Sequence, residues 1–293
     1  MRVDETYASR VEAGRGELRC EEVVLSYGQA GSGPPPAVVF LHGLSSAASA
    51  WRNVAPQIAR THRVYWYDHR GHGATPATPG RYRVEHYADD ARQFISEVAG
   101  SPAVLVGASL GGLVAAHLAG IHPELVHAVY LSDPPLYLGD RREFEATIYA
   151  RLFPVIQAAL RRARDAGGTE ADYRAAIHSI PAGPGGLSMG DLLGEEGLGR
   201  QARTWSAFDP EAFTPAIDRS MYAAFDPERP IACPVRVVRA DPRMEPAFTG
   251  DHEARLRSVH PRADVVVAEG SPHGIHEAKP DWYVADLRAF LSS

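Results

Sequence analysis

Short, wholly apolar runs recur along the first half of this chain, separated by stretches with helical spacing. Ala37-Val-Val-Phe-Leu41, Val64-Tyr-Trp-Tyr67, Ala103-Val-Leu-Val106 and Ala128-Val-Tyr-Leu131 are four or five residues long. Runs of that length without polar alternation suit strands buried on both faces of a parallel sheet. Two more come late, Val235-Arg-Val-Val238 and Ala263-Asp-Val-Val-Val-Ala268. Residues 17–27 read as a further strand, paired with an earlier one near residues 7–11. Helices are predicted over 87–98, 110–121 and 282–291. Strands alternating with helices argue for a mostly parallel, doubly wound sheet.

The alternation breaks between Pro134 and Arg229. Residues 141–165 place Phe144, Ile148, Leu152, Val155, Ile156 and Leu160 three and four apart, an amphipathic helix. Thr169 can cap a second helix over 170–180. A glycine-rich connection follows at 182–186, then an aromatic-rich stretch over 206–224. Residues 134–229 therefore read as a helical cap inserted into a core made of residues 1–133 and 230–293. Long insertions in compact domains are usually functional.

Composition narrows the classes. The 293 residues are 45% hydrophobic and 23% charged, as in an ordinary globular protein. The formal net charge is −6, so nothing marks a basic surface for a phosphate backbone, and no nucleic-acid partner is expected. Only one lysine is present, Lys279, and the other 29 basic residues are arginine, a bias assigned to codon usage. Cys20 and Cys233 form no paired motif, so neither a metal site nor a structural disulfide is expected. The first residues carry acids where a secretion signal needs an apolar segment, and no apolar run approaches a membrane span. The expectation is a cytoplasmic protein with no membrane partner, with a homodimer as the one assembly considered.

The chemistry centres on Gly107-Ala-Ser-Leu-Gly111, between an apolar strand and a helical pattern. A serine on a sharp strand-to-helix turn needs small neighbours, and the turn sets its hydroxyl at a helix N-terminus, where exposed N–H groups favour negative charge. Ser109 is the candidate nucleophile. An acyl-transfer site also needs two donors for the oxyanion. The backbone amides of Leu110 and of Leu44, which follows Phe40-Leu-His-Gly43, are the candidates. A serine hydroxyl needs a base. His273, in Gly270-Ser-Pro-His-Gly-Ile-His276, lies between the last strand and the closing helix, and His276 is the runner-up. His42, His62, His69, His72 and His86 are read as structural.

With Leu41-His-Gly43, Gly107-Ala-Ser-Leu-Gly111, the His273 segment and Asp68-His-Arg-Gly-His-Gly73 in view, the chain resembles the α/β-hydrolase superfamily over nearly its whole length. The resemblance implies an eight-stranded, mostly parallel sheet flanked by helices with an inserted helical cap. It implies a hydrolase with a serine nucleophile and a catalytic triad, an esterase or lactonase needing neither cofactor nor metal. The family's acid usually follows the seventh strand, in a G-x-x-D turn. Here that region reads Arg239-Ala-Asp-Pro-Arg243, which leaves Asp241 as one candidate. Some members place the acid after the sixth strand, where this chain has Asp133. Asp133 is favoured and Asp241 is the alternative. A serine in the nucleophile position argues against dehalogenase and epoxide-hydrolase chemistry, which runs through an ester to aspartate. The expected substrate is a small, moderately hydrophobic molecule with an ester, lactone or related acyl bond. C–C hydrolysis, acyl transfer or cyclisation at the same site is the alternative, and a ligand-binding receptor on this scaffold is a third reading.

Overall fold

The computed structural model describes residues 13–181 and 187–292. Eight strands form one sheet: β1 (Ala13–Arg19), β2 (Val24–Ala30), β3 (Val38–Leu41), β4 (Val64–Tyr67), β5 (Ala103–Ala108), β6 (Val126–Ser132), β7 (Val235–Ala240) and β8 (Asp264–Ala268). Their order is β1-β2-β4-β3-β5-β6-β7-β8. β1–β2 and β2–β4 are antiparallel, and every other neighbouring pair is parallel.

The apolar runs are continuous because both faces of the sheet are covered. Val39, Leu41, Leu105, Val129 and Leu131 face one core. Their neighbours Val38, Phe40, Val104, Val106 and Tyr130 face the other. The first face packs on α2 (Val84–Phe94) and α3 (Leu110–Ile121). The second is covered by α1 (Ala55–Ile58) and by α11 (Pro280–Leu291).

Residues 17–27 are not one strand. The Cys20 N–H donates to the Val23 carbonyl at 2.9 Å, a turn that puts Glu21 and Glu22 in solvent and sends the chain back as β2. Two adjacent acids in the middle of the apparent strand are what the turn exposes. The strand expected near residues 7–11 lies outside the described residues.

Between β6 and β7 the structure is helical. α4 (Arg141–Glu145), α5 (Tyr149–Ala166), α6 (Glu170–His178), α7 (Met189–Ser206) and α8 (Thr214–Ile217) fill this segment. The amphipathic pattern from 141 is two helices rather than one, because the Thr147 hydroxyl donates to the Phe144 carbonyl at 2.7 Å and closes the first. Thr169 caps α6, accepting from the Asp172 N–H. α7 is hidden in the sequence by its glycines, and it kinks at Gly194, where φ is +63°. The stretch 206–224 is mainly short 3₁₀ turns plus α8 rather than one helix. Ile156, Leu160, Ile177, Trp205 and Phe213 from this segment join the same core as β3 and β5. The remaining helices are α9 (Gly250–Val259) and α10 (Ile275–Ala278). Among the described residues no helix is long and apolar enough to cross a membrane.

Candidate active site

The chain reverses its direction of winding around β3: β4 lies on one side and β5 on the other. Such a switch point leaves a crevice beyond the carboxyl ends of the strands. Five of the sequence-predicted residues lie in loops leaving those ends, and Leu110 opens α3. Leu44 follows β3, Ser109 follows β5, Asp133 follows β6, Asp241 follows β7 and His273 follows β8.

Ser109 sits between β5 and α3 with φ +51° and ψ −115°. A side-chain-bearing residue there is strained by about 1–3 kcal/mol. The turn survives because its neighbours lack Cβ atoms. A Cβ at Gly107 would fall 2.2 Å from the Gly111 carbonyl oxygen, and one at Gly111 would fall 2.1 Å from that of Leu41. Both obstacles are backbone and cannot step aside. Gly107→Ala or Gly111→Ala is therefore expected to cost about 3 kcal/mol or to prevent folding. Soluble expression and thermal unfolding would show it, and a variant as stable as the parent would refute this account of the turn. Among the described residues, Ser45, Ser109, Asp133 and Glu245 account for four of the five non-glycine residues with positive φ, and all lie at or beside this crevice. Strain concentrated in this way is characteristic of functional sites.

The Asp133 carboxylate is fully buried. Its Oδ2 lies 2.6 Å from His273 Nδ1 and accepts from the Ala247 N–H at 2.8 Å. Its Oδ1 accepts from the N–H groups of Phe248 and Ala240 at 3.2 and 3.4 Å. With a carboxylate accepting at Nδ1, the ring proton stays on that nitrogen and Nε2 is free to take one. Ser109 and His273 line the same cavity. Their Oγ–Nε2 hydrogen bond is not made; such contacts are often long until a substrate is bound.

Asp241 is not brought to His273. Its carboxylate accepts from the side chain of Arg243 at 2.7 and 3.0 Å, from the Arg243 N–H at 2.9 Å and from the Gly270 N–H at 2.6 Å. These bonds, the Arg243 side chain foremost, hold its carboxyl well below the usual carboxylate range. The Asp241 N–H also donates to the Ser271 carbonyl at 2.9 Å. This aspartate thus ties the end of β7 to the segment that carries His273. His276 is turned away as well, its ring stacked on Trp51 with centroids 4.3 Å apart.

The Leu44 and Leu110 amides have no hydrogen-bond partner among the described residues, and both leucines border the cavity beside Ser109. The loop bearing Leu44 is held from below by neutral histidines. His42 Nδ1–H donates to the Gly43 carbonyl at 2.8 Å, and its Nε2 accepts from the His69 N–H at 3.0 Å. His72 Nδ1–H donates to the Arg70 carbonyl at 2.9 Å, and its Nε2 accepts from the Ser45 N–H at 3.2 Å. From above, Trp205 Nε1–H donates to the Ser45 carbonyl at 3.1 Å. Asp68 and Arg70 serve the turn itself. Asp68 accepts from the Ala48 and Ala74 N–H groups, and Arg70 makes a buried two-point pair with Asp90 at 2.7 and 2.8 Å.

Burial lowers His42 to about 4 and His72 to about 3. Below the unfolded value near 6.5 the unfolded chain binds protons that the folded chain refuses. Stability is full above that value and falls with pH towards the folded values, by about 1.4 kcal/mol per pH unit for each histidine. Urea unfolding at pH 7.5, 6.5 and 5.5 would measure this. Equal stability at pH 6.5 and 5.5 would contradict it.

A sequence profile described as the alpha/beta hydrolase fold matches residues 36–174. The chain has the α/β-hydrolase fold. This chain is 26% identical over 296 residues to 2-(acetamidomethylene)succinate hydrolase from Mesorhizobium japonicum, covering 99% of this chain and 97% of that one. It is 28% identical over 129 residues to 3-oxoadipate enol-lactonase 2 from Acinetobacter baylyi, covering 44% of this chain and 48% of that one. The match therefore spans about half the length of that relative, as it does for an uncharacterised hydrolase of Bacillus subtilis, of which 45% is covered. Epoxide Hydrolase A from Mycobacterium thermoresistibile superposes with a TM-score of 0.74 at 21% identity, over 96% of this chain and 98% of that one, and so shares the fold.

The cavity beside Ser109 is walled from both sides. Phe144, Tyr149 and Phe153 come from α4 and α5, Pro135 and Leu138 from the loop between β6 and α4, and Ala247 from the loop between β7 and α9. Its free space is about 30 Å³, room for about two waters. The Tyr149 ring lies 5.3 Å from that of His273. Four aromatics of the helical segment, Phe144, Tyr149, Phe153 and Tyr222, line the cavity. The Ala247 and Phe248 amides that hold Asp133 have no sequence signature, because a backbone donor is the same in every residue but proline. Among the described residues no group of three or more His, Cys, Asp or Glu is arranged to hold a metal ion.

Proposed function

We propose that this chain is a serine hydrolase that cleaves an ester, lactone or related acyl bond of a small molecule through an acyl-enzyme. The observation that carries the proposal is the 2.6 Å contact from His273 Nδ1 to Asp133, in a ring that shares its cavity with Ser109. His273 Nε2 takes the Ser109 proton as Oγ attacks the carbonyl carbon. The Leu44 and Leu110 N–H groups donate to the oxyanion. His273 then gives its proton to the leaving oxygen, and the acyl group stays on Ser109. Water, deprotonated by the same nitrogen, releases the acid and restores the serine. The helical insertion acts as the cap, since it contributes much of the apolar wall over the serine.

Purified protein is expected to turn over p-nitrophenyl esters and to be labelled by a fluorophosphonate at the Ser109 peptide, identified by mass spectrometry. Absence of both turnover and labelling would defeat the proposal.

A further inference from the structure

The cavity around Ser109 has a chemical bias that the reaction itself does not require. Among the described residues no arginine or lysine lines it, and the one titratable group in that lining besides tyrosines is His273, backed by the buried Asp133 carboxylate. Two arginines of the neighbouring segments are already paired. Arg243 is paired to Asp241, and Arg255 lies over the Tyr137 ring and pairs with Glu228. A substrate carboxylate would therefore lose its hydration in a lining that supplies no cation among the described residues, with the Asp133 carboxyl group behind the histidine, which disfavours its burial.

One polar group in the apolar wall remains unused. Three residues of the lining carry hydroxyls: Ser109, Tyr149 and Tyr222. Ser109 is the proposed nucleophile. The Tyr149 hydroxyl donates to the Glu245 carbonyl at 3.3 Å. The Tyr222 hydroxyl has no hydrogen-bond partner among the described residues, and burial raises its pKa above the usual range, so it remains a neutral donor. Its ring packs against the small apolar cluster of Leu138, Phe144 and Ala247 and against the first sheet core.

We infer that the site selects an uncharged acyl group bearing an oxygen acceptor along an otherwise apolar chain, with the Tyr222 O–H donating to that acceptor. The inference rests on the serine-hydrolase reading of the same cavity, so its test separates binding from chemistry. Ser109→Ala protein is titrated by NMR with hexanamide, with the 3-, 4- and 5-oxohexanamides, and with the monoamide of adipic acid. These share a chain length and differ in charge and acceptor position. The neutral amides are expected to bind at least ~30-fold tighter than the anionic one. At least one oxo isomer should bind tighter than hexanamide, and Tyr222→Phe in the same background should lower that preference about 3- to 10-fold, the worth of one neutral hydrogen bond. Equal binding of the adipic monoamide overturns the selection against charge, and that comparison needs no Tyr222 variant. An oxo preference untouched by Tyr222→Phe overturns the role of the hydroxyl. Selective binding without ester turnover by the parent protein would leave the inference standing and remove the serine reaction instead.

Discussion

Ser109→Ala is expected to lower kcat/KM for an aryl ester by about 10⁴-fold or more and to abolish fluorophosphonate labelling, while leaving the protein folded. The size follows from what is removed. Without Oγ there is no acyl-enzyme, and only the oxyanion donors and substrate binding remain to help water attack. A companion substitution tests the geometry behind the activity. Ser109→Gly should be equally inactive yet more stable than the parent by about 1 kcal/mol, because φ +51° is strained for serine and open to glycine. Thermal unfolding of parent, Ser109→Ala and Ser109→Gly would order them, with glycine highest. Alanine should gain little, since it retains the Cβ that makes the conformation costly. Retention of more than a tenth of the parent rate by either variant would remove Ser109 from the reaction.

The second large effect separates two carboxylates. Asp133→Asn is expected to reduce kcat/KM by about 10⁴-fold with little change in KM. The asparagine amide can present an N–H where the carboxylate accepted, which turns His273 to the tautomer with its proton on Nε2, the nitrogen that must act as base. Asp241→Asn should cost less than about tenfold in kcat/KM. It should instead lower thermal stability, because that carboxylate pins Arg243 and the Gly270 N–H rather than the imidazole. If Asp241→Asn were the more damaging to turnover and Asp133→Asn were mild, the assignment of the acid would be reversed.

The three groups of site residues were not equally legible in sequence. Ser109 stands out because its turn forces a local pattern: Gly107 and Gly111 are required by backbone atoms about 2 Å from where their side chains would begin. His273 can be chosen only by its place between the last strand and the closing helix, since an imidazole carries no local signature. The acid is the least legible, because Asp133 and Asp241 each end a strand, each precede a proline, and each sit in a loop at the same edge of the sheet. The fold shows the same gradient. The buried strands of the parallel sheet read clearly as unbroken apolar runs. The β1–β2 hairpin read as a single strand because its two-residue turn contains no glycine, proline or asparagine. α7 was missed because four glycines outweigh a helix whose stability comes from packing Leu198, Ala202 and Trp205 into the core.

Local sequence by itself determined the alternation of strands and helices, the helical interruption after β6 and the strained serine turn, since each depends on neighbours within a few residues. Only the tertiary structure decided which carboxylate meets His273, that the Leu44 loop rests on neutral histidines, and that Tyr222 brings an unpaired hydroxyl to an uncharged cavity. These depend on contacts between residues as much as 140 positions apart, as Asp133 and His273 are. At that separation the geometry is set by how the strands line up across the sheet, which no short window of sequence contains.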